Sequence, residues 1–494
     1  MTRLVAFLME WRATIQLIQF AGALAMLLVL LQRWRRTTGV VAFFHPYCND
    51  GGGGERVLWC AVQALLDQDK KILIVIYTGD RVSKDKILSK AKERFGFAVD
   101  GRRIRFVPLY FRWIVEARYY PVFTLLGQSI GGGLLALEAL LRLNPEVFID
   151  TMGVASSYPI ARYIFGSKVA CYVHYPAIST DMLSLVGRRE ASYNNRAIIS
   201  NSYVLSRVKV VYYQMLAFVY GLQGACAHAV LCNSSWTAEH IMDLWGIDPR
   251  IVPPPCNTQD LQQLDLGGRE PLIVSLGQFR PEKNHALQLA AFKILVERGR
   301  VFDARLAILG SCRNAEDEGR VLDVRRRIAE LGLEGRAEVH TNVPWGELQN
   351  TWLRRAKVGV HTMWNEHFGI NIVEFMAAGA VPVAHDSGGP REDIVVELNG
   401  LPTGFRATTP EQYARACERV LTMYPQECAP TPGAPRRPRP APHELAGRVP
   451  QRWPTTTAGA GQLGVRRRRP RDAAARPTRG GAGRQVRTAA GARA

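Results

Sequence analysis

The sequence predicts an α/β protein in which two doubly wound halves face a cleft, with an N-terminal transmembrane helix before them and a disordered tail after them. Three observations predict this class. Short apolar runs alternate with helical patterns from residue 40 to residue 425, three consecutive prolines within residues 246–258 separate two sets of such runs, and apolar residues become rare after residue 428. The predicted segments are residues 1–36, 37–250, 251–428 and 429–494.

The apolar runs have the composition of parallel strands. They are continuous and rich in β-branched residues, which is typical of strands covered by helices on both faces. Two such sets joined by a rigid proline connector indicate two Rossmann-like units, and α/β proteins bind ligands at the carboxyl ends of their strands. The predicted strands are residues 40–47, 71–78, 104–109, 147–153, 168–175, 229–234, 272–279, 304–311, 337–343, 358–364 and 381–387.

Residues 13–31 form an uncharged apolar run that predicts a retained membrane anchor. At about 1.5 Å per residue the run is about 28 Å long, close to the thickness of a bilayer core. Trp11 and Trp34 flank it in the manner of interfacial aromatic residues, and the arginines that follow it weakly favour a cytosolic body. The run does not have the short apolar core and small-residue cleavage site of a signal peptide.

A second apolar region covers residues 107–143, but Arg112, Glu116, Arg118 and Pro121 interrupt it. These interruptions argue against a simple membrane span. We expect either a membrane-associating element that buries one apolar face in the interface or two ordinary helices packed on a sheet.

Charge and cysteine usage limit the classes of function. The formal net charge is +20, but residues 429–494 hold 15 arginines and only 2 acidic residues, so 13 of these charges belong to the tail. The body is therefore only mildly basic, which argues against nucleic acid as a partner. The nine cysteines show no metal-binding spacing and are typical of reduced thiols. One glycosylation sequon begins at Asn233, and such triplets are frequent by chance.

Four glycines, residues 51–54, lie between the first predicted strand and the first predicted helix of the body. Such a loop lets backbone N–H groups approach a phosphate or a sugar at a helix N-terminus, although a flexible turn would have the same composition. Arg280 and Lys283 follow the first strand of the second half. Two cations at a helix N-terminus are unfavourable for the helix dipole, which indicates an anionic ligand unless both are solvated surface charges.

The segment "NEHFGINIVEFMAAG", residues 365–379, contains two carboxylates eight residues apart. It follows a predicted strand, and "INIVEFMAAG" has a helical pattern that Gly379 and Pro382 end. We therefore expect Glu366 in a loop at the mouth of the cleft and Glu374 within the helix. The two carboxylates would not share one helix face.

The chain resembles the retaining GT-B glycosyltransferases of family 4. The family's E-x7-E signature is matched by "EHFGINIVE" and its R-P-x-K-N element by "RPEKN", while "NSSWTAEHI" and "PPPCN" fit the junction between the domains. The resemblance covers about residues 40–428. Within the family, "FFHPYCNDGGGGERVLW", "VHYPAISTDML" and "FGINIVEFMAAGAVPVAHDSGGP" are similar to members that extend a dolichol-linked oligosaccharide in the endoplasmic reticulum.

This resemblance implies substrates and a location. The donor would be GDP-mannose, and the acceptor would be Man3GlcNAc2-PP-dolichol, which would receive its fourth and fifth mannoses in α-1,2 linkage with retention. The chain would lie in the endoplasmic reticulum membrane with its catalytic domains on the cytosolic face, where other mannosyltransferases of the pathway would be its partners. The base of the donor is not determined by these residues.

The resemblance also implies roles for individual residues. Arg280 and Lys283 would hold the donor diphosphate, and Glu374 would accept hydrogen bonds from the ribose hydroxyls. Glu366, together with the backbone of residues 368–370, would contact the mannose and phosphate. The remaining predicted site residues are His174, which would bond the transferred sugar at the reacting face, and Gly53 and Gly54, which would lie beneath the donor phosphates. The residues whose backbone would make this contact together with Glu366 are Phe368, Gly369 and Ile370.

Retention without an obvious carboxylate nucleophile implies that the acceptor attacks on the same face of the sugar from which the leaving group departs. The departing diphosphate would assist deprotonation of the acceptor hydroxyl, and the protein would contribute positioning and charge stabilisation. No metal or other cofactor is required by this mechanism. The triplet "DQD" at residues 67–69 has the spacing of a metal-binding motif, but it ends a helical pattern and we expect it at the surface.

Residues 429–494 depart from the family pattern. Arg, Pro, Ala and Gly dominate this tail, which contains no Ile, Phe, Tyr or Lys, so we expect disorder. The family expects a last helix that packs back on the first domain, and the tail does not have its pattern. An altered reading frame or alternative terminal exon would explain the composition, and a basic tail that binds RNA or anionic lipid is the alternative. Two other functions therefore stay open, namely a catalytically impaired form that only binds its ligands and a family-4 transferase with another donor or acceptor.

Overall fold

The fold was analysed in a computed structural model, which describes residues 2–95, 99–178, 203–256, 258–398 and 401–422. The predicted tail, residues 429–494, lies outside the described residues, as does the position where the family's last helix would lie. Both interpretations of the tail therefore stay predictions.

The first half is a seven-stranded, entirely parallel sheet with the strand order β3-β2-β1-β4-β5-β6-β7. The first six strands overlap the six runs predicted for this half, whereas β7 has two residues and no predicted counterpart. The strands are β1 (Thr37–Phe44), β2 (Leu73–Thr78), β3 (Ile104–Pro108), β4 (Pro145–Asp150), β5 (Lys168–Val173), β6 (Ala229–Cys232) and β7 (Arg250–Ile251).

The second half is a six-stranded parallel sheet with the strand order β10-β9-β8-β11-β12-β15. Five of its strands were predicted, and the short strand β15 at its edge was not. The strands are β8 (Glu270–Leu276), β9 (Arg305–Gly310), β10 (Ala337–Thr341), β11 (Ala356–His361), β12 (Val381–His385) and β15 (Phe405–Ala407), and a separate antiparallel pair consists of β13 (Glu397–Leu398) and β14 (Leu401–Pro402).

Helices cover the sheets. The longer ones are α1 (Thr2–Trp34), α2 (Gly53–Gln68), α3 (Lys84–Phe95), α4 (Thr124–Arg142), α5 (Tyr203–Gly224), α6 (Ser235–Trp245), α7 (His285–Glu297), α8 (Ala315–Glu330), α9 (Ile370–Ala377) and α10 (Pro410–Thr422). Local signals set several boundaries. For example, the Ser234 hydroxyl caps α6 by accepting from the Thr237 N–H, and Gly246 ends that helix in the left-handed conformation.

Both faces of each sheet are buried, which explains why the strands are continuously apolar. In β1, Val41 and Phe43 belong to one core, while Ala42 and Phe44 belong to the core on the opposite face. The two halves are therefore doubly wound parallel sheets, as predicted. In each sheet the strand order reverses beside the first strand, between β1 and β4 and between β8 and β11, and ligands bind α/β sheets at such reversal points.

Helix α1 projects most of its described apolar side chains into the surroundings, and Trp34 is 84% exposed. Its carboxyl-terminal end is attached to the first half, where Arg33 donates to the Tyr163 carbonyl (2.7 Å from Nη2) and Asn144 donates to the Gln32 carbonyl (2.7 Å). The other large exposed side chains of α1 are Trp11, Ile15, Ile18, Phe20, Leu24, Met26, Leu27, Leu28, Leu30 and Leu31.

The region 107–143 combines features of both expected arrangements. Helix α4 buries one face, including Leu135 and Leu140, against the first sheet, and it exposes Ile130, Leu134 and Leu141 on the other face. The preceding interrupted part forms only short turns instead of a second helix. By length and composition, α4 is the one helix among the described residues that could cross a membrane, and the apolar stretch Ile18–Trp34 of α1 is shorter.

Two minor expectations can be compared with the structure. The "DQD" triplet lies at the exposed end of α2, as predicted. Asn233 of the sequon is only 5% exposed, and its side-chain amide donates to the His174 carbonyl at 2.9 Å. This burial favours the chance origin of the sequon.

Candidate functional site

The predicted site residues lie at the carboxyl ends of strands in both halves. The glycine loop, residues 51–54, follows β1 and includes the first two residues of α2, and His174 comes directly after β5. In the second half, Lys283 lies in the turn between β8 and α7, and Glu366 lies in the loop between β11 and α9. Parallel strands place these chain ends at the reversal points described above, which accounts for their clustering.

Glu366 and Lys283 form an ion pair, with 2.7 Å between the glutamate Oε2 and the lysine Nζ. His361, the last residue of β11, is 2% exposed and lies 3.1 Å from the same oxygen through its Nε2 atom. Burial would raise the pKa of Glu366, but the Lys283 charge and the His361 hydrogen bond hold that pKa well below its ordinary value. The carboxylate is therefore ionised at neutral pH, as sugar and cation recognition require.

Glu374 is separated from this cluster, as the sequence predicted. Helix α9 begins at Ile370, directly after Gly369 with its φ of +105°, so Glu366 belongs to the loop and Glu374 to the helix. Glu374 is half-buried and lies near Cys256 of the connector. Burial of the Cys256 thiol and, second to it, the charge of Glu374 raise the pKa of that thiol to about 12. Phe368 is 8% exposed and packs in a small core beneath the loop.

The glycine loop lies between residues of both halves. A Cβ atom built on Gly54 would lie 3.7 Å from the His174 Nε2 atom, and one built on Gly53 would lie 3.2 Å from the Ile370 Cδ1 atom at the start of α9. The structure therefore brings His174, the glycine loop and the first residue of α9 into one neighbourhood. Burial and the nearby His45 lower the pKa of His174 to about 4, so its imidazole is neutral at pH 7.

Arg280 occupies a different position from its predicted partner Lys283. Its side chain is exposed and lines a cavity of about 240 Å³ together with Arg313 and Arg320, at the N-terminal end of α8. Lys283 instead points toward Glu366. The convergence of the two cations on one diphosphate stays a prediction.

Sequence reasoning missed three features of this neighbourhood. His361 lies behind Glu366, and its only sequence signal is a histidine in the middle of the predicted strand 358–364, which in the structure ends at His361. His367 stacks between two aromatic residues of the first half, with ring centroids 4.2 Å from Tyr175 and 5.4 Å from Trp236. Its position inside the E-x7-E segment was visible in the sequence, but its aromatic partners lie far away in the chain.

The third missed feature is a polar contact between the halves. The Ser235 backbone N–H donates to one oxygen of Asp393 at 2.8 Å, and the Ser235 hydroxyl donates to the other at 2.5 Å. Among the described residues, no group of three or more His, Cys, Asp or Glu side chains is arranged to bind a metal ion. The expectation that no metal is required stays a prediction.

Comparison with family models matches both halves of the chain. Residues 38–245 match the family described as ALG11 mannosyltransferase N-terminus, and residues 257–431 match the family described as glycosyl transferases group 1. Among solved structures, sucrose-phosphate synthase from Thermosynechococcus elongatus (TM-score 0.53, 16% identity) covers 77% of this chain and 89% of its own. The UDP-forming α,α-trehalose-phosphate synthase from Burkholderia xenovorans (TM-score 0.53, 13% identity) covers 78% and 93%. These likenesses show that the fold is GT-B.

Curated relatives are much more similar in sequence. The Xenopus tropicalis protein named GDP-Man:Man(3)GlcNAc(2)-PP-Dol alpha-1,2-mannosyltransferase is 48% identical to this chain, and the match covers 78% of this chain and 81% of the relative. The Homo sapiens protein of the same name is also 48% identical, and the match covers 78% of this chain and 80% of the relative. The relative of this name from Caenorhabditis elegans is 41% identical over 79% and 85%. The chain belongs to the family of the GDP-Man:Man(3)GlcNAc(2)-PP-Dol alpha-1,2-mannosyltransferases.

Proposed function

We propose that this protein transfers mannose from GDP-mannose, in α-1,2 linkage and with retention, to Man3GlcNAc2-PP-dolichol, adding the fourth and fifth mannoses. The observation that carries this proposal is the contact of the glycine loop with His174 and with the start of α9, directly after the loop that holds the Lys283–Glu366 pair. The donor and acceptor are those in the names of the relatives, which extend across both halves of the chain.

In the proposed complex, the donor diphosphate binds Lys283, with Arg280 as the second cation. The lysine ammonium has three donors, and in the structure it uses one for Glu366 and one for the Met363 sulfur at 3.3 Å, so the third can donate to a phosphate oxygen. Lys283 then stabilises the negative charge that develops on the leaving diphosphate, which requires no proton transfer from the protein. Glu366 keeps this ammonium in place, and its Oε1 atom, which also accepts from the His367 N–H, accepts from a hydroxyl of the mannose.

The start of α9 provides the second part of the donor site. Backbone N–H groups at the beginning of a helix have no intrahelical acceptors, so the residues 368–370 can donate to phosphate or sugar oxygens. Glu374, just over one turn into the helix, accepts from the ribose hydroxyls. The two glutamates thus hold opposite ends of the nucleotide sugar and do not act as an acid–base pair.

His174 and the glycine loop, with Gly53 and Gly54, complete the reacting face. A neutral imidazole can hydrogen-bond the transferred sugar without adding a positive charge. The acceptor hydroxyl attacks the anomeric carbon on the same face from which the diphosphate departs. A new C–O bond forms as the bond to the diphosphate breaks, and the hydroxyl proton passes to a diphosphate oxygen. The protein supplies alignment and charge stabilisation for this step.

The apolar surfaces support a location at the endoplasmic reticulum membrane, with the catalytic halves on the cytosolic face. Besides α1, the exposed faces of α4 and α5 meet where Phe123 packs edge-to-face on Tyr212, with 5.2 Å between ring centroids. Met215 and Phe218 of α5 are 64% and 67% exposed. Exposed apolar surface of this extent suits a bilayer that also holds the dolichol-linked acceptor. We also propose that the chain is divided into the segments 1–36, 37–250 and 251–428. The protein would associate with other mannosyltransferases of the pathway.

The experiment supplies radiolabelled GDP-mannose and Man3GlcNAc2-PP-dolichol to the purified full chain. We expect two mannoses to be added, and we expect Glu374→Ala to abolish transfer. Glu330→Ala, on the exposed surface of α8, is the matched control and should transfer normally. Equal transfer by the Glu374 variant would contradict the site assignment.

The same assay separates the alternatives that the sequence left open. GDP-mannose binding without transfer would identify a catalytically impaired form, and transfer only from another nucleotide sugar or to another acceptor would identify a different substrate pair. Either result would refute the proposed function.

A further inference from the structure

A buried carboxylate lies beneath the glycine loop and has no role in the mechanism above. Glu55, at the third position of α2, is 8% exposed, and its Oε2 atom accepts a hydrogen bond from the Gly52 backbone N–H. Gly52 is the N-cap residue of α2 and has no side chain with which to cap the helix. Glu55 therefore makes one half of a capping box, in which the side chain at the third helical position accepts from the N-cap N–H, and this bond ties the helix to the loop.

The second oxygen of Glu55 faces a buried histidine. The His45 Nε2 atom lies 3.5 Å from Glu55 Oε1, and the His45 Nδ1 atom lies 2.6 Å from the Thr151 hydroxyl. His45 is completely buried directly after β1, and its Nε2 atom has no closer partner within the described part of the chain. Glu55 thus links the glycine loop to the carboxyl ends of β1 and β4.

The charge state of this link follows from its surroundings. Burial would raise the pKa of Glu55, but its interactions with His45 and with backbone N–H groups hold that pKa below its ordinary value. The carboxylate is therefore ionised at neutral pH, and its hydrogen bond to the loop is charge-assisted. Such bonds are roughly twice as strong as neutral ones.

The loop that Glu55 holds is the part of the first half that reaches both predicted reacting groups. Gly54 lies against His174, and Gly53 lies against Ile370 of the second half. Gly51 and Gly52 precede α2, and Gly53 and Gly54 form the start of its first turn. Glycines have little conformational preference of their own, so the position of this stretch depends on the restraint at the start of the helix. An error of about 1 Å in such a position is enough to reduce a transfer rate strongly.

We propose that Glu55 and His45 form a positioning pair for the transfer reaction, which holds the Gly52–Gly54 loop in the place where it meets His174 and Ile370. This proposal rests on the proposed function for its effect on catalysis. Its structural part, the restraint of the loop, is independent of the substrates.

The test uses the full chain and two readouts. Glu55→Gln keeps the size of the side chain and removes its charge, and His45→Asn removes the other member. We expect each variant to lower kcat about tenfold, with KM for GDP-mannose within about threefold of wild type. The double variant should be no slower than the slower single variant, because both changes remove the same restraint.

The matched control is Glu418→Gln in α10. Glu418 is 5% exposed and pairs with Arg298 and with Arg300, far in sequence from the glycine loop. This variant should lower the melting temperature but leave kcat unchanged. Kinetic constants of Glu55→Gln within twofold of wild type, or effects of the two single variants that multiply in the double variant, would refute the positioning pair.

Hydrogen exchange supplies the readout that needs no activity. We expect the peptide that covers residues 45–60 to exchange faster in Glu55→Gln than in wild type or Glu418→Gln. Unchanged exchange would refute the restraint even if wild type transfers mannose. If wild type does not transfer, the proposed function fails, while faster exchange would still support the restraint. Should Glu55→Gln not fold, His45→Asn carries the same comparison.

Discussion

Replacing Lys283 by methionine should destabilise the protein by an amount that depends on pH. The Lys283 and Glu366 side chains are only 20% and 15% exposed, so the variant leaves a largely buried carboxylate without its cation. Removing one member of a buried ion pair costs about 3 kcal/mol or more. For a half of this size, each kcal/mol lowers the melting temperature by about 2–4 °C, so we expect a decrease of about 6–12 °C at pH 7.

The pH dependence follows from the lowered pKa of Glu366 in the folded protein. The pair stabilises wild type above the unfolded-state pKa of about 4.3, and this contribution is lost as the pH falls through the lower folded-state pKa. In the variant the unpaired carboxylate becomes protonated more readily, which removes its buried charge. The difference in melting temperature should therefore shrink as the pH falls toward about 4.

The assay is thermal unfolding of detergent-solubilised wild type, Lys283→Met and Lys283→Arg between pH 4 and pH 7. Lys283→Arg keeps the positive charge and should recover part of the lost stability. We also expect Lys283→Met to reduce mannose transfer by about 10²-fold or more, because it removes a donor that stabilises the leaving diphosphate. An equal loss of melting temperature at both ends of the pH range would refute the reasoning from charge.

Three further outcomes are expected. His174→Ala should reduce kcat about 10–10²-fold, and the wild-type rate should show no titration of His174 between pH 6 and 8 because its pKa is about 4; a rate step that disappears in the variant would contradict this. Ser235→Ala should lower the free energy of unfolding by about 1–3 kcal/mol, since it leaves the half-buried Asp393 carboxylate with one donor fewer, and unfolding at pH 7 beside Asp393→Asn measures it. Replacing Met215 and Phe218 by aspartate should reduce flotation with liposomes that contain no acceptor, whereas unchanged flotation would show that this face does not contact the bilayer.

The sequence predicted the elements whose signals are local. The eleven continuous apolar runs were correctly predicted as strands. Strands that are buried on both faces are apolar along their whole length, so they are easily recognised in the sequence. The division between Glu366 in a loop and Glu374 in a helix followed from one glycine and a helical pattern. The short edge strands β7 and β15 were missed because two or three residues contain no periodicity.

The rest of the site depends on contacts between distant parts of the chain. The glycine loop was visible in the sequence, but the restraint by Glu55 and His45 requires α2 to pack beside the end of β1. Likewise, the Lys283–Glu366 pair joins residues 83 positions apart, and no local pattern indicates that Lys283 turns toward a carboxylate while Arg280 faces another cavity. The region 107–143 contains enough apolar residues to cover both faces of a helix. Only the fold shows which face of α4 packs on the sheet and which is exposed.

The stacking of His367 between Tyr175 and Trp236 gives the protein an internal optical reporter. Trp236 is 7% exposed, and its environment includes a ring from each half of the chain. Any separation of the halves that admitted a nucleotide sugar would remove the His367 ring and admit water to the indole, which would shift its emission to longer wavelength. Opening and closing of the cleft could then be followed in the unlabelled enzyme, provided that the other tryptophans are replaced by phenylalanine.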